Sequence, residues 1–427
     1  MMLNFLKILS KQTLYNVVIS LFSFLTITFV IAKFGVETYG QFSIFQNTIF
    51  LVSMMGVGWL NQSILRFNDS SEIFRIGLMK IFRFTSFMLS IIGFVLLFFL
   101  TKSFMYSTIG TLVIFFQTFS SIKSSFYLSN LKVSNAFSID LVRVSSFLIL
   151  VIGLFFIKNS MTNAHGLEIC FFVSYITVNF FIITKEKRNS ISLLIKERFE
   201  FPNFELKKIL NNEVIRYGAP FAVWFVASHL LNISDRYIIK QNCSVQDLGI
   251  YSALYDIVNK VISFLFMPAM YIMMPYLKKE YESGKSENVK KILFISFFAQ
   301  LFVLAIILFG LYMFESLILR KASFFALDST SYSLFYIISI SSVIWQIAML
   351  AHKPLELSKR TDLMVYFILI SLIVNVGLNL VFIPQFGIAF AAWSSLICSI
   401  IYLLLVLFFI SKKSGIKIYE KGNYDFI

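Results

Sequence analysis

The chain has 427 residues, of which 58% are hydrophobic and only 14% charged, with a formal net charge of +15 and a mean hydropathy of +0.81. A soluble domain carries roughly 45–50% apolar and about 25% charged residues, so an ordinary water-soluble globule is excluded. The bulk of the chain belongs in a bilayer.

A helix that crosses hydrocarbon needs about 20 mainly apolar residues, because no water is present to satisfy its backbone. Twelve such runs follow one another. The first, 13–34, is preceded by Lys7 and Lys11, as a secretory signal would be. Its apolar stretch from Thr13 to Ile31 is too long for a signal core and no small-x-small cleavage site follows, so it reads as a retained span. The next five lie at 41–65, 79–101, 104–128, 137–157 and 166–184. Then comes the longest polar stretch, "KEKRNSISLLIKERFEFPNFELKKILNNE", from Lys185 to Glu213. It reads as a linker, either a solvated connector or, over Ser192–Phe199, an amphipathic helix lying on the inner leaflet. Six further runs occupy 214–239, 249–275, 292–314, 328–351, 361–383 and 386–411. Pro220 in the seventh and Pro268 and Pro275 in the eighth mark expected bending points.

Cytoplasmic loops accumulate Lys and Arg. With twelve spans both termini share a side, and that side collects 29 of the 37 basic residues against 7 opposite, with Lys260 inside a span. Both ends are therefore expected in the cytoplasm. The excess positive charge then lies on short loops beside anionic lipid, which removes nucleic acid as a partner.

One short pattern occurs twice. "VETYGQFSIF" starts at Val36 and "VQDLGIYSAL" at Val245, and Val, Gly, an aromatic and Ser match at a constant separation of 209 residues. The first sits between spans one and two, the second between spans seven and eight. This predicts a parallel duplication of two six-span units, an arrangement found in secondary transporters with substrate held near the midplane between the halves. The expected fold is all-α integral membrane: about twelve transmembrane helices in two pseudo-symmetric six-helix lobes around a central cavity. The boundaries are an N-terminal lobe at 1–184, a cytoplasmic linker at 185–213, a C-terminal lobe at 214–411 and a cytoplasmic tail at 412–427.

Polar residues in the paired spans locate the candidate site. Ser228, Asn232 and Asp235 recur at helical spacing in span seven, with Arg236 alongside. Gly249, Ser252, Asp256, Lys260 and Ser263 share one face of span eight. Subtracting 209 carries Asn232 to Ser23, Asp235 to Thr26 and Asp256 to Asn47, all polar. An ionisable side chain at mid-bilayer costs about 2.5–3.5 kcal/mol, so these stripes are expected to face a wet cavity. The plainer alternative is that Asp256 and Lys260 neutralise one another and that Asp235 and Arg236 sit near an interface. Asn375 with Asn379, and Gln117 with Ser121 and Ser124, read as hydrogen-bonding contacts between helices.

Other chemistries are absent from the pattern. "ESGKS" at Glu282 lacks the first glycine of a phosphate-binding loop, and Gly56-Val57-Gly58 lacks the third glycine of a dinucleotide fingerprint, reading instead as helix packing. His165, His229 and His352 are scattered, as are Cys170, Cys243 and Cys398, so neither a metal site nor a disulfide framework is expected. No cofactor is called for.

Three passages carry a family resemblance. "FGVETYGQFSIF" followed by "GVGWLNQSILRF", then "RYGAPFAVWFVASHLLNISDRYIIKQNCSVQDLGIYSALYDI", and finally "LNLVFIPQFGIAFAAWSSLICSIIYLLLVL" resemble, in order, segments of the Wzx-type polysaccharide (O-antigen) flippases. These belong to the multidrug/oligosaccharidyl-lipid/polysaccharide exporter superfamily. Typical members have Gly where Ala389 or Phe390 stands here. The resemblance implies a carrier of oligosaccharide repeat units linked to undecaprenyl pyrophosphate, working by alternating access in the bacterial cytoplasmic membrane with H+ or Na+ as coupling ion. Contact with a polysaccharide polymerase and chain-length machinery would follow. A pyrophosphate headgroup wants cations, for which Lys260, Arg236, Arg66, Arg143 and Arg216 are candidates, with Asp235 and Asp256 for the coupling ion and Ser23, Thr26, Asn47, Asn232 and Ser252 as polar lining. The competing expectations are a multidrug exporter of the same superfamily and a membrane-embedded polymerase or acyltransferase.

Overall fold

The computed structural model describes residues 2–61, 64, 72–130, 132–157, 163–185, 212–313, 329–358 and 360–412. These form long helices in chain order: α1 (Met2–Phe34), α2 (Val36–Ser53), α3 (Glu72–Thr101), α4 (Phe104–Ser129), α5 (Val133–Phe156), α6 (Asn163–Lys185), α7 (Asn212–Asn242), α8 (Val245–Glu282), α9 (Ser286–Met313), α10 (Ser329–Ala351), α11 (Thr361–Phe386) and α12 (Ile388–Lys412). Each of the twelve expected spans coincides with one of them. Among the described residues nine helices are long and apolar enough to cross a membrane. α7 and α8, which carry the charged stripe, are not among the nine. The linker at 186–211 and the tail from 413 lie outside the described residues.

The repeated motif proves to be the first turns of a helix rather than a loop. α2 begins at Val36 directly after Gly35, whose φ of +89° turns the chain out of α1. At the second copy Ser244 caps α8. Its hydroxyl accepts from the Asp247 backbone N–H at 3.0 Å, while the Asp247 carboxylate accepts from the Ser244 N–H at 3.2 Å and from the Ser244 hydroxyl at 2.7 Å. This reciprocal arrangement satisfies N–H groups that a helix start leaves without partners. A short helix at Lys353–Leu357, unexpected from the apolar pattern, follows α10 with Pro354 in its first turn, where the missing N–H costs nothing. α7 and α11 continue through Pro220 and Pro384, and α8 through Pro268 and Pro275.

The chain divides into two compact units, the first comprising mainly 10–34 and 41–226, the second 2–9, 35–40 and 227–427. In the first, α3 packs on α4, α5 on α6 and α4 on α6. Glycine permits the close approaches: a Cβ on Gly93 would lie 2.2 Å from Ile114 Cδ1, and one on Gly110 would lie 2.1 Å from Leu97 Cδ1. After Ser53, α2 passes through a π-helical turn at Met54–Gly58, where a Cβ on Gly56 would lie 2.4 Å from Leu89 Cδ1. That close fit bears out the helix-packing reading of this glycine pair. In the second unit the corresponding pairs recur: α9 packs on α10, α11 on α12 and α10 on α12. Advancing each helix number by six carries each of these three pairs of the first unit onto one of the second. Large apolar side chains such as Phe99, Phe156, Phe302 and Ile373 point outward, the faces that lipid would cover.

Candidate functional site

The second unit concentrates its polar groups where α7 meets α8. Successive turns of α7 carry Asn232 and the pair Asp235–Arg236, and α8 answers with tyrosines. The Tyr255 hydroxyl donates to Asn232 Oδ1 at 2.7 Å, and the Tyr251 hydroxyl donates to Asp235 Oδ2. Asp235 Oδ1 accepts from the Arg236 backbone N–H at 2.8 Å. Arg236, only 1% exposed, reaches across to α8, where its Nη2 and Nη1 donate to the two carboxylate oxygens of Asp256 at 2.6 and 3.3 Å. Its guanidinium lies 5.1 Å from the centre of the Tyr255 ring, a cation–π distance.

Asp256 has a third partner. The Tyr39 hydroxyl donates to its Oδ2 at 2.7 Å, from the short 35–40 segment that belongs to this unit. The two matched glycines meet beside it: a Cβ on Gly40 would lie 2.8 Å from the Gly249 Cα, and one on Gly249 would lie 2.2 Å from the Val36 carbonyl oxygen. Both positions of the doubled motif therefore require glycine for close backbone approach.

A polar network backs the cluster from behind. Ser234 donates to Asn375 Oδ1 at 2.9 Å, Asn379 donates to the same oxygen at 3.1 Å, and Ser394 donates to Asn379 Oδ1 at 2.5 Å. Asn375 and Asn379 thus act as the expected hydrogen-bonding contacts, tying α7, α11 and α12 together. Beside Asn232 and Tyr255 lies a small cavity of about 10 Å³, with Asn259, Ser341, Trp345 and Ser395 also on its walls. That is room for about one water.

The remaining expected site residues fall as follows. Ser252 is fully buried, its hydroxyl without a hydrogen-bond partner among the described residues, and Lys260, one turn beyond Asp256, is partly exposed. In the first unit Ser23 and Thr26 are buried. Thr26 donates to the Phe22 carbonyl at 2.8 Å and Asn47 to the Ser43 carbonyl at 2.8 Å, both within their own helices. Arg143 stands 4.0 Å from Asp140 and 5.8 Å from the Tyr175 ring. Ser121 accepts from Asn61 Nδ2 at 2.8 Å, so it joins α4 to α2, while Gln117 Oε1 has no partner among the described residues. Arg66 lies outside the described residues, and Arg216 and Ser263 are described by backbone alone.

Two features of the charged pair go beyond the sequence reading. Asp256 is held by Arg236 from the neighbouring helix. Arg236 in turn is not an open cation, since both terminal nitrogens are engaged by a carboxylate. Tyr39, Tyr251 and Tyr255 were missed because they are uncharged. The signal for two of them was present: Tyr251 and Tyr255 stand one turn apart on the face next to Asp256.

By sequence the chain matches no family model and no curated protein. Its fold does have counterparts. It is similar to a multidrug resistance MATE family transporter of the MOP superfamily in an inward-facing conformation, with a TM-score of 0.68 and 14% identity over 95% of this chain and 96% of the other. It is also similar to the MATE multidrug transporter DinF-BH, with a TM-score of 0.64 and 16% identity over 96% of each chain. The eukaryotic MATE transporter AtDTX14 aligns with a TM-score of 0.61 and 15% identity over 98% of each. The chain is a multi-pass membrane protein with the fold of the MATE transporters. These counterparts are multidrug and MATE transporters, not the polysaccharide flippases that the sequence motifs resemble.

Proposed function

We propose that the chain is an alternating-access exporter of the multidrug type, within the MOP superfamily, carrying amphipathic organic molecules across a bacterial cytoplasmic membrane. One observation carries the choice: the α7–α8 cluster holds two carboxylates, Asp235 and Asp256, against one guanidinium that is already bonded to Asp256. A pyrophosphate headgroup needs a free, fork-shaped cation. A cationic drug or a coupling ion needs a carboxylate whose present partner it can replace, and Asp256, with about a fifth of its side chain exposed, offers that. With Arg236 already bonded to Asp256, the headgroup cations that the flippase resemblance implies lose one of their five candidates. In this reading Asp235 and Asp256 exchange partners with H+ or Na+ as the lobes alternate around a central cavity, both termini lying in the cytoplasm. The lobes take the boundaries 1–184 and 214–411. Fold likeness over nearly the whole chain supports a carrier over a polymerase or acyltransferase.

A second reading, the flippase for lipid-linked oligosaccharide, is favoured by the three sequence motifs. It would draw its headgroup cations from Lys260, Arg66, Arg143 and Arg216, and would bring polymerase contacts with it. Deleting the protein in its native host separates the two. The exporter reading expects higher susceptibility to ethidium and tetraphenylphosphonium with unchanged surface polysaccharide. Lost polysaccharide with unchanged susceptibility would overturn it in favour of the flippase.

A further inference from the structure

The first unit contains a second group of ionisable side chains, far along the sequence from the α7–α8 cluster. Glu168, in the second turn of α6, is fully buried, and neither carboxylate oxygen has a hydrogen-bond partner among the described residues. His165, one turn earlier, places its Nδ1 3.6 Å from Glu168 Oε2, and that nitrogen too has no hydrogen-bond partner among the described residues. About a third of the His165 side chain is exposed. From α4, Tyr106 lays its ring 4.6 Å from the imidazole, and its hydroxyl interacts with the Glu168 carboxyl.

A buried carboxylate that closes no hydrogen bond among the described residues, with an imidazole as its basic neighbour, is a costly state for a membrane helix to hold. The two carboxylate oxygens and His165 Nδ1 face one another with no hydrogen bond closed between them, which leaves a place for a cation. A metal ion is disfavoured, because no group of three or more His, Cys, Asp or Glu side chains converges among the described residues, and two ligands do not make a closed site. A proton fits. As a carboxylic acid, Glu168 donates its O–H to His165 Nδ1 after a small rotation, and its carbonyl oxygen accepts from the Tyr106 hydroxyl. One added proton satisfies all three residues together.

We infer that Glu168, His165 and Tyr106 form a proton-binding site in the first unit, loaded from solvent through the partly exposed His165 ring. The imidazole takes a proton at Nε2 and releases the one on Nδ1 to the carboxylate, so the ring ends neutral and the acid is formed. α2 presents Phe42 and Phe45. From α5, Arg143 faces Tyr175, seven residues further along α6, with Asp140 beside Arg143. Applied to the exporter reading, and resting on it for that purpose only, the site makes the proton the coupling ion.

Infrared spectroscopy of the purified full chain tests the site without assuming any substrate. The expected result is a protonated-carboxyl carbonyl band that shifts with isotope-labelled glutamate, fades as pH rises, and is lost in E168Q. E168D should move the band rather than remove it, and H165A should keep it while slowing proton exchange. If E168Q fails to fold, the labelled wild-type protein still decides: absence of a pH-dependent glutamic acid band overturns the proposal. Binding of Zn2+ or Ni2+ that is lost in H165A would overturn it too. In proteoliposomes, tetraphenylphosphonium uptake driven by a pH gradient should be lost in E168Q. Wild-type protein that shows the band but no uptake refutes the exporter reading and leaves the proton site standing.

Discussion

Breaking the Arg236–Asp256 pair from its two ends should have unequal costs. In D256A the guanidinium, 1% exposed, loses both of its carboxylate bonds. Removing one partner of a buried pair costs about 3–5 kcal/mol, and neighbouring Asp235 with the Tyr255 ring should hold the value near the lower end. In R236A the stranded carboxylate is 21% exposed and keeps the Tyr39 hydroxyl, so the loss should be about 1–3 kcal/mol, the cost of an unmet hydrogen-bonding group. Since the second removal in R236A/D256A strands nothing further, the double variant should fall short of the sum by about 1–3 kcal/mol. Reversible denaturant unfolding in mixed micelles measures all three. Additivity within about 0.5 kcal/mol, or an equal cost from both ends, would refute the claim that this is a buried and coupled pair.

Other consequences are equally specific. G249A, whose new methyl would lie 2.2 Å from the Val36 carbonyl oxygen, should lower the melting temperature sharply. G153A, with nothing within 4 Å of the new methyl, should raise stability by up to about 1 kcal/mol; equal effects would remove the close contact of the doubled motif. Cys243 alone among the three cysteines is not buried, so a membrane-impermeant maleimide applied to intact cells should label it and spare Cys170 and Cys398. Burial, and then Asp247, push the Cys243 thiol above its usual range, so labelling should quicken as pH rises; labelling only after lysis would reverse the expected orientation. N379A removes the acceptor of Ser394 and a donor to Asn375, and should cost about 1–2 kcal/mol in the same unfolding assay.

The twelve helices were legible because hydrocarbon dictates them: a backbone with no water must be helical, and about 20 apolar residues are needed to cross. Ends were less legible. α1 begins at Met2 rather than at 13, and Gly35 alone links α1 to α2, because extending a helix outside hydrocarbon does not alter the apolar pattern. The stripe on α8 was readable from its spacing. The pairing of Arg236 with Asp256 was not, since it joins residues 20 positions apart through the register of two helices. A count of charges gives their balance and not their partners. For that reason the resemblance could offer Arg236 as a headgroup cation, while the geometry presents a guanidinium already claimed by a carboxylate.

Transport by the purified protein is the most direct test. Reconstituted in proteoliposomes under an imposed pH or sodium gradient, the wild-type chain should accumulate tetraphenylphosphonium, and D256N should lose most of that uptake. Wild-type vesicles that stay empty under both gradients while translocating a lipid-linked oligosaccharide would contradict the account.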